Sequence, residues 1–353
     1  MKSALAWIAR GLAADAATSL VSLLTAFLAL AGLLLACGRS PLATYVGILR
    51  GAFGDWFAIT ETLVAATPIL ICGLSVAIAA QVGLTNIGAE GQLYMGAVGA
   101  TFVALNAGNG GPGVVLPAMA LAACTLGAAW AGIAGVLRAR LGVNETILTL
   151  LLNYVALLLV EFLIHGPWQD PASFSWPQTA AFPPAAILPT LPRSRVHLGL
   201  GMALVVAAAL FAVLFMTRVG AVMRVIAANP RAAAHVHDPI AAYLLVAMAL
   251  SGAVAALAGM SQVSAIEGRL RAGLSAGYGY SGFLAAWLAR HHPLAILPAA
   301  LLMGALTSGG DSLQLGQRLP FATVNILEGV ILLSLVSFER LRLRVGGWAT
   351  TES

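Results

Sequence analysis

Charged residues are scarce in this sequence, and their scarcity decides the class of protein. Only 9% of the 353 residues are Asp, Glu, Lys or Arg, whereas 60% are hydrophobic. Since ordinary soluble domains carry about 25% charged residues, the composition excludes a soluble protein and indicates an integral membrane protein. The longest polar stretch, residues 166–197, is rich in Pro and Trp and is predicted to be an external loop.

Lysine is almost absent, because Lys2 is the only one in the chain. A P-loop requires the lysine of its GKS or GKT motif, so this polypeptide does not hydrolyse ATP through that motif. Neither an HExxH nor a GxSxG motif occurs, and the cysteines lie singly in apolar runs without CxxC spacing. We therefore predict no catalytic residues, no metal site and no cofactor bound by this chain.

The basic residues are scattered singly between apolar runs, which argues against nucleic acid as a partner. Their distribution instead predicts a topology. If the N-terminus is inside, 11 of the 18 Lys and Arg residues fall on the cytoplasmic side and 7 fall outside. This excess on the cytoplasmic side agrees with the positive-inside rule. Both termini are thus predicted to be cytoplasmic, with tails at residues 1–19 and 339–353.

Long apolar runs predict an all-α, polytopic membrane bundle in one transmembrane domain, residues 20–338, with a cytoplasmic loop at 218–239. At about 20 apolar residues per crossing, the chain offers about 10 segments. Two regions, 86–105 and 275–310, are short or rich in glycine, so each forms either full crossings or a re-entrant segment. Two such interrupted segments often flank the path of a transporter. The predicted segments are approximately 18–37, 62–81, 86–105, 114–136, 144–165, 198–217, 240–260, 275–289, 294–310 and 321–338.

The stretch 82–99 is the most informative part of the sequence. It holds Glu90, the only charged residue of a long apolar tract, among many glycines and alanines. A carboxylate that faced lipid there would be costly, so the tract is predicted to be a packed seam beside a polar path, with Asn86, Glu90 and Gln92 as candidates. The alternative is structural, because Asn86 can cap a helix and an acid in its first turn is favoured by the helix dipole.

Two further polar patterns lie inside apolar segments. Glu145, Thr149 and Asn153 are spaced i, i+4 and i+8, which places them on one helix face as a stripe about 12 Å long. Such a stripe either lines a solvated route or bonds to a neighbouring helix. In the last segment Asn325 and Glu328 lie three residues apart, and Glu328 is a candidate path residue because it too is an acid within an apolar run.

The loop 217–239 is the longest internal cytoplasmic segment. Asn229 followed by Pro230 is typical of an N-cap and a first helical position, and Pro239 ends the alanine-rich run that follows. The pattern predicts a short helix outside the membrane. That helix either docks a cytoplasmic partner or is a solvated connector.

Four tracts occur in this order: TPILICGLSVAIAAQVGLTNIGAEGQLYMGA, NETILTLLLNY, ANPRAA and SAGYGYSGFLAAWLARHHPLAIL. They resemble the signature tracts of one family, the permease subunits of bacterial ABC importers for simple sugars and nucleosides. The likeness is greatest to the nucleoside-type branch, which is similar to branched-chain amino acid and ribose permeases. The resemblance covers most of the chain, from about Glu61 to Phe338.

The resemblance implies a heteromeric importer that is embedded in the bacterial plasma (inner) membrane and contacts its lipid. An extracytoplasmic binding protein delivers the substrate, this chain and a second, related permease chain form the path, and a cytoplasmic ATPase subunit uses ATP. Nucleosides, or a related simple sugar or base, are the expected substrates. The resemblance also implies an ATPase-coupling helix that contains Asn229, Pro230, Arg231, Ala232 and Ala233.

Three places depart from the family pattern. Thr85 stands where an aromatic residue is usual, His237 and Asp238 where a Gly-Ile pair is usual, and Glu328 where an uncharged residue is common.

Two other functions stay open from the residues alone. One is an ion-coupled secondary transporter of a small polar solute, in which an intramembrane glutamate carries protons or cations. The other is a membrane receptor or scaffold without substrate flux.

Overall fold

A computed structural model describes residues 20–108, 110–173, 176–229, 240–317 and 322–349. Within these ranges the chain forms helices and two isolated β-bridges. The helices, in chain order, are α1 (Leu20–Ala36), α2 (Pro41–Phe53), α3 (Trp56–Ala80), α4 (Ala89–Leu105), α5 (Pro112–Leu141), α6 (Glu145–His165), α7 (Leu198–Met216), α8 (Arg218–Ala228), α9 (Ile240–Ser261), α10 (Tyr278–Leu288), α11 (Pro293–Gln317) and α12 (Ala322–Ala349). A π-helical turn, Gln262–Glu267, extends α9.

The all-α membrane bundle predicted from the sequence is confirmed. A helix lies within each predicted segment, and α2 and α8 are additional helices that the apolar pattern did not predict. Among the described residues, 6 helices are long and apolar enough to cross a membrane. The others are shorter or less apolar, so the count of about 10 crossings stays a prediction.

Local signals in the sequence set several helix ends. The Asp55 carboxylate accepts the Ala58 N–H at 2.7 Å and caps α3, and the Asn144 side chain accepts the Thr146 N–H at 2.9 Å and caps α6. Both satisfy donors that a helix N-terminus otherwise leaves unpaired. Gly142 ends α5 in the left-handed region, with φ 65°, where glycine carries no steric penalty.

Helix α3 occupies the centre of the bundle. In the most apolar stretch of α3, 89% of the residues are buried. In the corresponding stretches of α5, α6 and α7 the buried share is 28% or less. A helix that is apolar on all sides and buried is a core element. The exposed faces of α6 and α7 carry large apolar side chains such as Leu158, Phe162 and Val205, which suits contact with lipid.

Close contacts between helices depend on glycine. A Cβ added at Gly259 in α9 would overlap the carbonyl oxygen of Leu93 in α4. Gly127 in α5 and Gly252 in α9 face one another in the same way, because a Cβ on either would overlap the backbone of the other. Small residues allow this backbone approach in membrane helices, so α4, α5 and α9 form the tightest part of the bundle.

Helices α4 and α10 are short, and each follows a non-helical segment. With 17 and 11 residues, they are about 26 Å and 17 Å long, less than the roughly 30 Å of a bilayer core. Segment 81–88 turns at Gly83, where φ is 77°, and leads to α4, while segment 268–277 leads to α10. Helices α4 and α10 lie within the two regions, 86–105 and 275–310, that the sequence marks as short or rich in glycine.

The loop 176–197 fastens the segment that precedes α10. The Thr179 N–H donates to the Leu270 carbonyl at 2.9 Å, and the Leu270 N–H donates to the Thr179 hydroxyl at 3.0 Å. At the end of the loop, the His197 Nδ1 accepts the Gly199 N–H at 3.1 Å and caps α7. Burial, with a contribution from Arg195, lowers the pKa of His197 to about 4, so the imidazole is neutral at neutral pH and able to accept this bond.

Candidate intramembrane site

Two side-chain amides in the bundle form the core of a polar cluster. The amide nitrogens of Asn86 and Gln92 each lie 3.0 Å from the other's amide oxygen. The Asn86 Nδ2 also donates to the Ser251 hydroxyl at 2.8 Å, which in turn donates to the Ser75 carbonyl at 2.7 Å. All four residues are buried. Since an unpaired buried polar group costs about 1–3 kcal/mol, this paired network holds segment 81–88 against α3 and α9.

Helix α6 presents its polar stripe to the same non-helical segment. The Asn153 Oδ1 accepts an N–H from the first turn of α4 at 2.8 Å, and its Nδ2 donates to the Ile87 carbonyl at 3.0 Å. The Thr149 hydroxyl accepts the Ile87 N–H at 3.3 Å, and the Glu145 Oε1 accepts the Thr85 N–H at 3.3 Å. The stripe therefore supplies hydrogen bonds that a non-helical backbone in a membrane cannot obtain from lipid.

Glu90 lies where the N-terminus of α4 meets the N-terminus of α10. Its Oε2 accepts the Gly279 N–H at 2.7 Å, and its carboxylate also bonds the Ser275 hydroxyl. The Ser275 oxygen accepts the N–H groups of Gly277 and Tyr278, at 3.1 Å and 3.0 Å, and so caps α10. Helix N-termini carry partial positive charge, so an acidic side chain in the first turn of α4 that also accepts an N–H from the start of α10 is favoured at this position. Short helices with N-termini that point at an anionic group occur at transporter midplanes.

Glu328 lies in a separate pocket between α10 and α12. Its Oε2 accepts the Ser281 hydroxyl at 2.8 Å. The pocket has a volume of about 290 Å³, and Tyr280 and Asn325 line it beside Glu328. The Tyr280 hydroxyl lies 3.3 Å from the Asn153 Nδ2, so this phenol connects the pocket to the polar cluster.

The structure brings the predicted path residues other than Glu328 into one connected, buried region: Asn86, Glu90, Gln92, Glu145, Thr149 and Asn153. Sequence reasoning missed Ser75, Ser251 and Ser275, which bond directly to this region. Single serines in apolar runs carry no distinguishing signal, since they also bond locally to their own helix backbone. Among the described residues, no group of His, Cys, Asp or Glu has an arrangement able to hold a metal ion.

Residues 58–336, which include both the cluster and the pocket, match the family model for the permease component of branched-chain amino acid transport systems. The chain belongs to this family. It is a permease and a multi-pass membrane protein, in agreement with its apolar helices.

Individual relatives are permeases of sugar and nucleoside transporters. The chain is 36% identical to the glucose ABC transporter permease protein TsgB13 of Haloferax volcanii, over 97% of this chain and 91% of the relative. It is 30% identical to the guanosine ABC transporter permease protein NupP of Bacillus subtilis, over 93% and 95% of the two chains. With the nucleoside ABC transporter permease protein NupB of Lactococcus lactis, the identity is 28% over 89% and 88%. No solved structure matches the chain.

The coupling helix expected from the sequence falls largely outside the described residues, which leave out Pro230, Arg231, Ala232 and Ala233. Asn229 follows α8 in an extended conformation, and its N–H donates to the Val225 carbonyl at 2.9 Å. Ala227 lies beside Gly83, because a Cβ built on Gly83 would be 3.4 Å from the Ala227 Cα. The end of α8 in this permease thus contacts the turn that leads to Asn86.

Replacing Asn153 with leucine should lower the free energy of unfolding of the permease by about 2–4 kcal/mol. The change leaves the Gly91 N–H and the Ile87 carbonyl without their partner, and each unpaired buried group costs about 1–3 kcal/mol. Unfolding in detergent, followed by circular dichroism, measures the effect. The control is Asn106→Leu, since Asn106 is at an exposed helix end and its side chain donates to the Phe102 carbonyl of its own helix, at 2.7 Å. Equal stability of the two variants would contradict the role given to Asn153.

Proposed function

We propose that this chain is a permease subunit of an ABC importer and forms a translocation path for a nucleoside or a related simple sugar. The observation that carries the proposal is the family match over residues 58–336. Relatives named for glucose, guanosine and nucleosides give the substrate class. The short helices α4 and α10, which meet at Glu90, support a transport role, because interrupted helices of this kind flank the path in other transporters.

In this proposal the chain works with three kinds of partner. A cytoplasmic ATPase subunit binds and hydrolyses ATP, since this chain lacks a P-loop lysine. An extracytoplasmic binding protein delivers the substrate, and a second, related permease chain completes the path. The complex lies in a bacterial inner membrane with both termini of this chain in the cytoplasm, the side that carries the larger number of basic residues.

The contact between Ala227 and Gly83 suggests how ATP binding is coupled to transport. Movement of the end of α8 would act on Gly83 and from there on the segment that holds Asn86. ATP binding on another subunit then favours one of two arrangements of the bundle, which opens alternately outward and inward. The chain itself performs no covalent chemistry.

Purification of the chain from its native membrane in mild detergent, with mass spectrometry of its partners, tests this proposal. We expect an ATPase with P-loops and a second permease. The purified complex, reconstituted with its binding protein, should take up radiolabelled guanosine or glucose only when ATP is supplied inside the vesicles. Uptake that collapses with an ionophore and ignores ATP would contradict the proposal and support an ion-coupled carrier.

Replacing both Asn229 and Pro230 with alanine should uncouple ATP hydrolysis from uptake. We expect ATP-driven uptake to fall by about 10-fold or more, within the usual range of coupling free energies, while the complex assembles and hydrolyses ATP. Uptake and ATPase activity are measured on the same proteoliposomes, with Asn106→Ala as a control at a helix end distant in sequence. Wild-type uptake by the double variant would exclude the coupling role.

A further inference from the structure

The pocket between α10 and α12 has polar residues in its lining, although both helices are largely apolar. Its lining includes Gly277, Tyr280, Leu284, Asn325 and Glu328. Glu328 lies six residues after the start of α12, or about 9 Å along the helix. A carboxylate that faced lipid at that depth would cost about 3 kcal/mol or more, so this face of the bundle contacts water, solute or protein instead.

The Glu328 carboxylate is held in place with one oxygen available. Its Oε2 accepts the Ser281 hydroxyl, and this is the one hydrogen bond that the carboxylate makes with the residues that the structure describes. The residue is only partly buried. Asn325, one helical turn before it on the same face, is exposed. The pocket thus offers carboxylate and amide groups to a solute.

We propose that the pocket between α10 and α12 is a solute-binding site in the translocation path, and that Glu328 and Asn325 bind a vicinal diol of a neutral sugar ring there. This inference rests on the proposed function, because it names the chemical group that the path recognises. A carboxylate only accepts hydrogen bonds and is therefore matched to hydroxyl donors, while an amide both donates and accepts.

The composition of the pocket selects against charged solutes. Among the residues that the structure describes, the lining includes an acid and no Lys or Arg, so a phosphorylated or carboxylated solute would find no cationic partner there. The ring of Tyr280, which is 40% exposed, and the side chain of Leu284 give an apolar wall against which the carbon face of a sugar ring can pack. The volume of about 290 Å³ is just below the usual range for ligand pockets, about 300–1,000 Å³, which suits a small solute such as a single sugar ring.

The pocket is also connected to the part of the bundle that carries the short helices. The Tyr280 hydroxyl lies 3.3 Å from the Asn153 Nδ2, and Asn153 bonds the first turn of α4. Ser281, the residue after Tyr280, bonds Glu328. A shift of α10 relative to α4 would therefore move the pocket wall together with the Glu328 partner, so that solute binding here depends on the state of the bundle.

The test compares solutes that differ by one hydroxyl in the assembled importer. The wild-type complex and the Glu328→Gln complex are reconstituted with the same binding protein, and ATP-driven uptake is measured for two pairs: guanosine with 2′-deoxyguanosine, and glucose with 2-deoxyglucose. We expect Glu328→Gln to lower uptake of the hydroxylated member by about 10–100-fold, the range for a hydrogen bond to a charged group, and to lower uptake of the deoxy member much less. Because the binding protein is unchanged, a change in this ratio reports on the permease.

Two further variants keep the test decisive. Asn325→Leu should change the ratio in the same direction, and it replaces Glu328→Gln if that variant fails to assemble. Glu161→Gln is the matched control, because Glu161 lies near the far end of α6 and pairs with His165; its ratio should equal that of the wild type. A ratio unchanged by both pocket variants, with ATP-driven uptake intact, overturns the diol site and leaves the importer function standing. Absence of ATP-driven uptake of every probe by the wild-type complex overturns both.

Discussion

Replacing Gly259 with alanine is expected to destabilise the permease by about 3 kcal/mol, the upper end of the usual cost of overpacking. The added Cβ would overlap the Leu93 carbonyl oxygen and crowd the backbone nitrogen of Ala97. Both are main-chain atoms of α4, so no side-chain rotation relieves the overlap and the two helices must separate. Because α9 also packs on α5 through Gly252, separation on one side disturbs the other.

The matched control for this change is Gly132→Ala in α5. A Cβ on Gly132 meets nothing within 4 Å, and alanine in a helix interior is favoured over glycine by about 0.5–1 kcal/mol. The two variants should therefore move the unfolding free energy in opposite directions. Unfolding in detergent with increasing SDS measures both. If Gly259→Ala is as stable as Gly132→Ala, the close contact between α4 and α9 is wrong.

Replacing Glu90 with alanine is expected to weaken the junction of α4 and α10. The change leaves the buried Gly279 N–H without its acceptor, which costs about 1–3 kcal/mol, and it removes an acidic side chain from the junction of two helix N-termini, where such a group contributes up to about 2 kcal/mol. We expect a loss of about 2–4 kcal/mol in the free energy of unfolding. Since the short helices border the proposed path, uptake should fall as well.

Glu90→Gln separates the hydrogen bond to Gly279 from the other contributions of the carboxyl group. The glutamine amide oxygen can still accept the Gly279 N–H, so only the interaction of the carboxyl group with the helix N-termini is lost. This variant should be about half as destabilised as Glu90→Ala, by the same detergent unfolding assay. Equal stability of the wild type and both variants would mean that Glu90 does not stabilise the junction of α4 and α10. Glu90 would then be a candidate path residue only.

Part of the candidate site could be predicted from the sequence because it depends on local spacing. Glu145, Thr149 and Asn153 share one face through the helical repeat alone, and the Asn86 side chain does accept an N–H just before α4, from Gly88 at 2.8 Å. The partners of these residues could not be predicted. Asn86 and Ser251 are 165 residues apart, and no periodicity relates two positions so distant in the chain.

Family membership, the all-α class and the positions of the apolar helices were determined by the sequence itself, because they follow from composition, apolar run length and short motifs. Only the tertiary structure decided that α4 and α10 meet N-terminus to N-terminus at Glu90, and that the α6 stripe bonds segment 81–88. It also placed Glu328 in a pocket of its own. The reason is physical: which polar groups satisfy one another depends on how glycine contacts let the helices approach, and hydropathy carries no record of that packing.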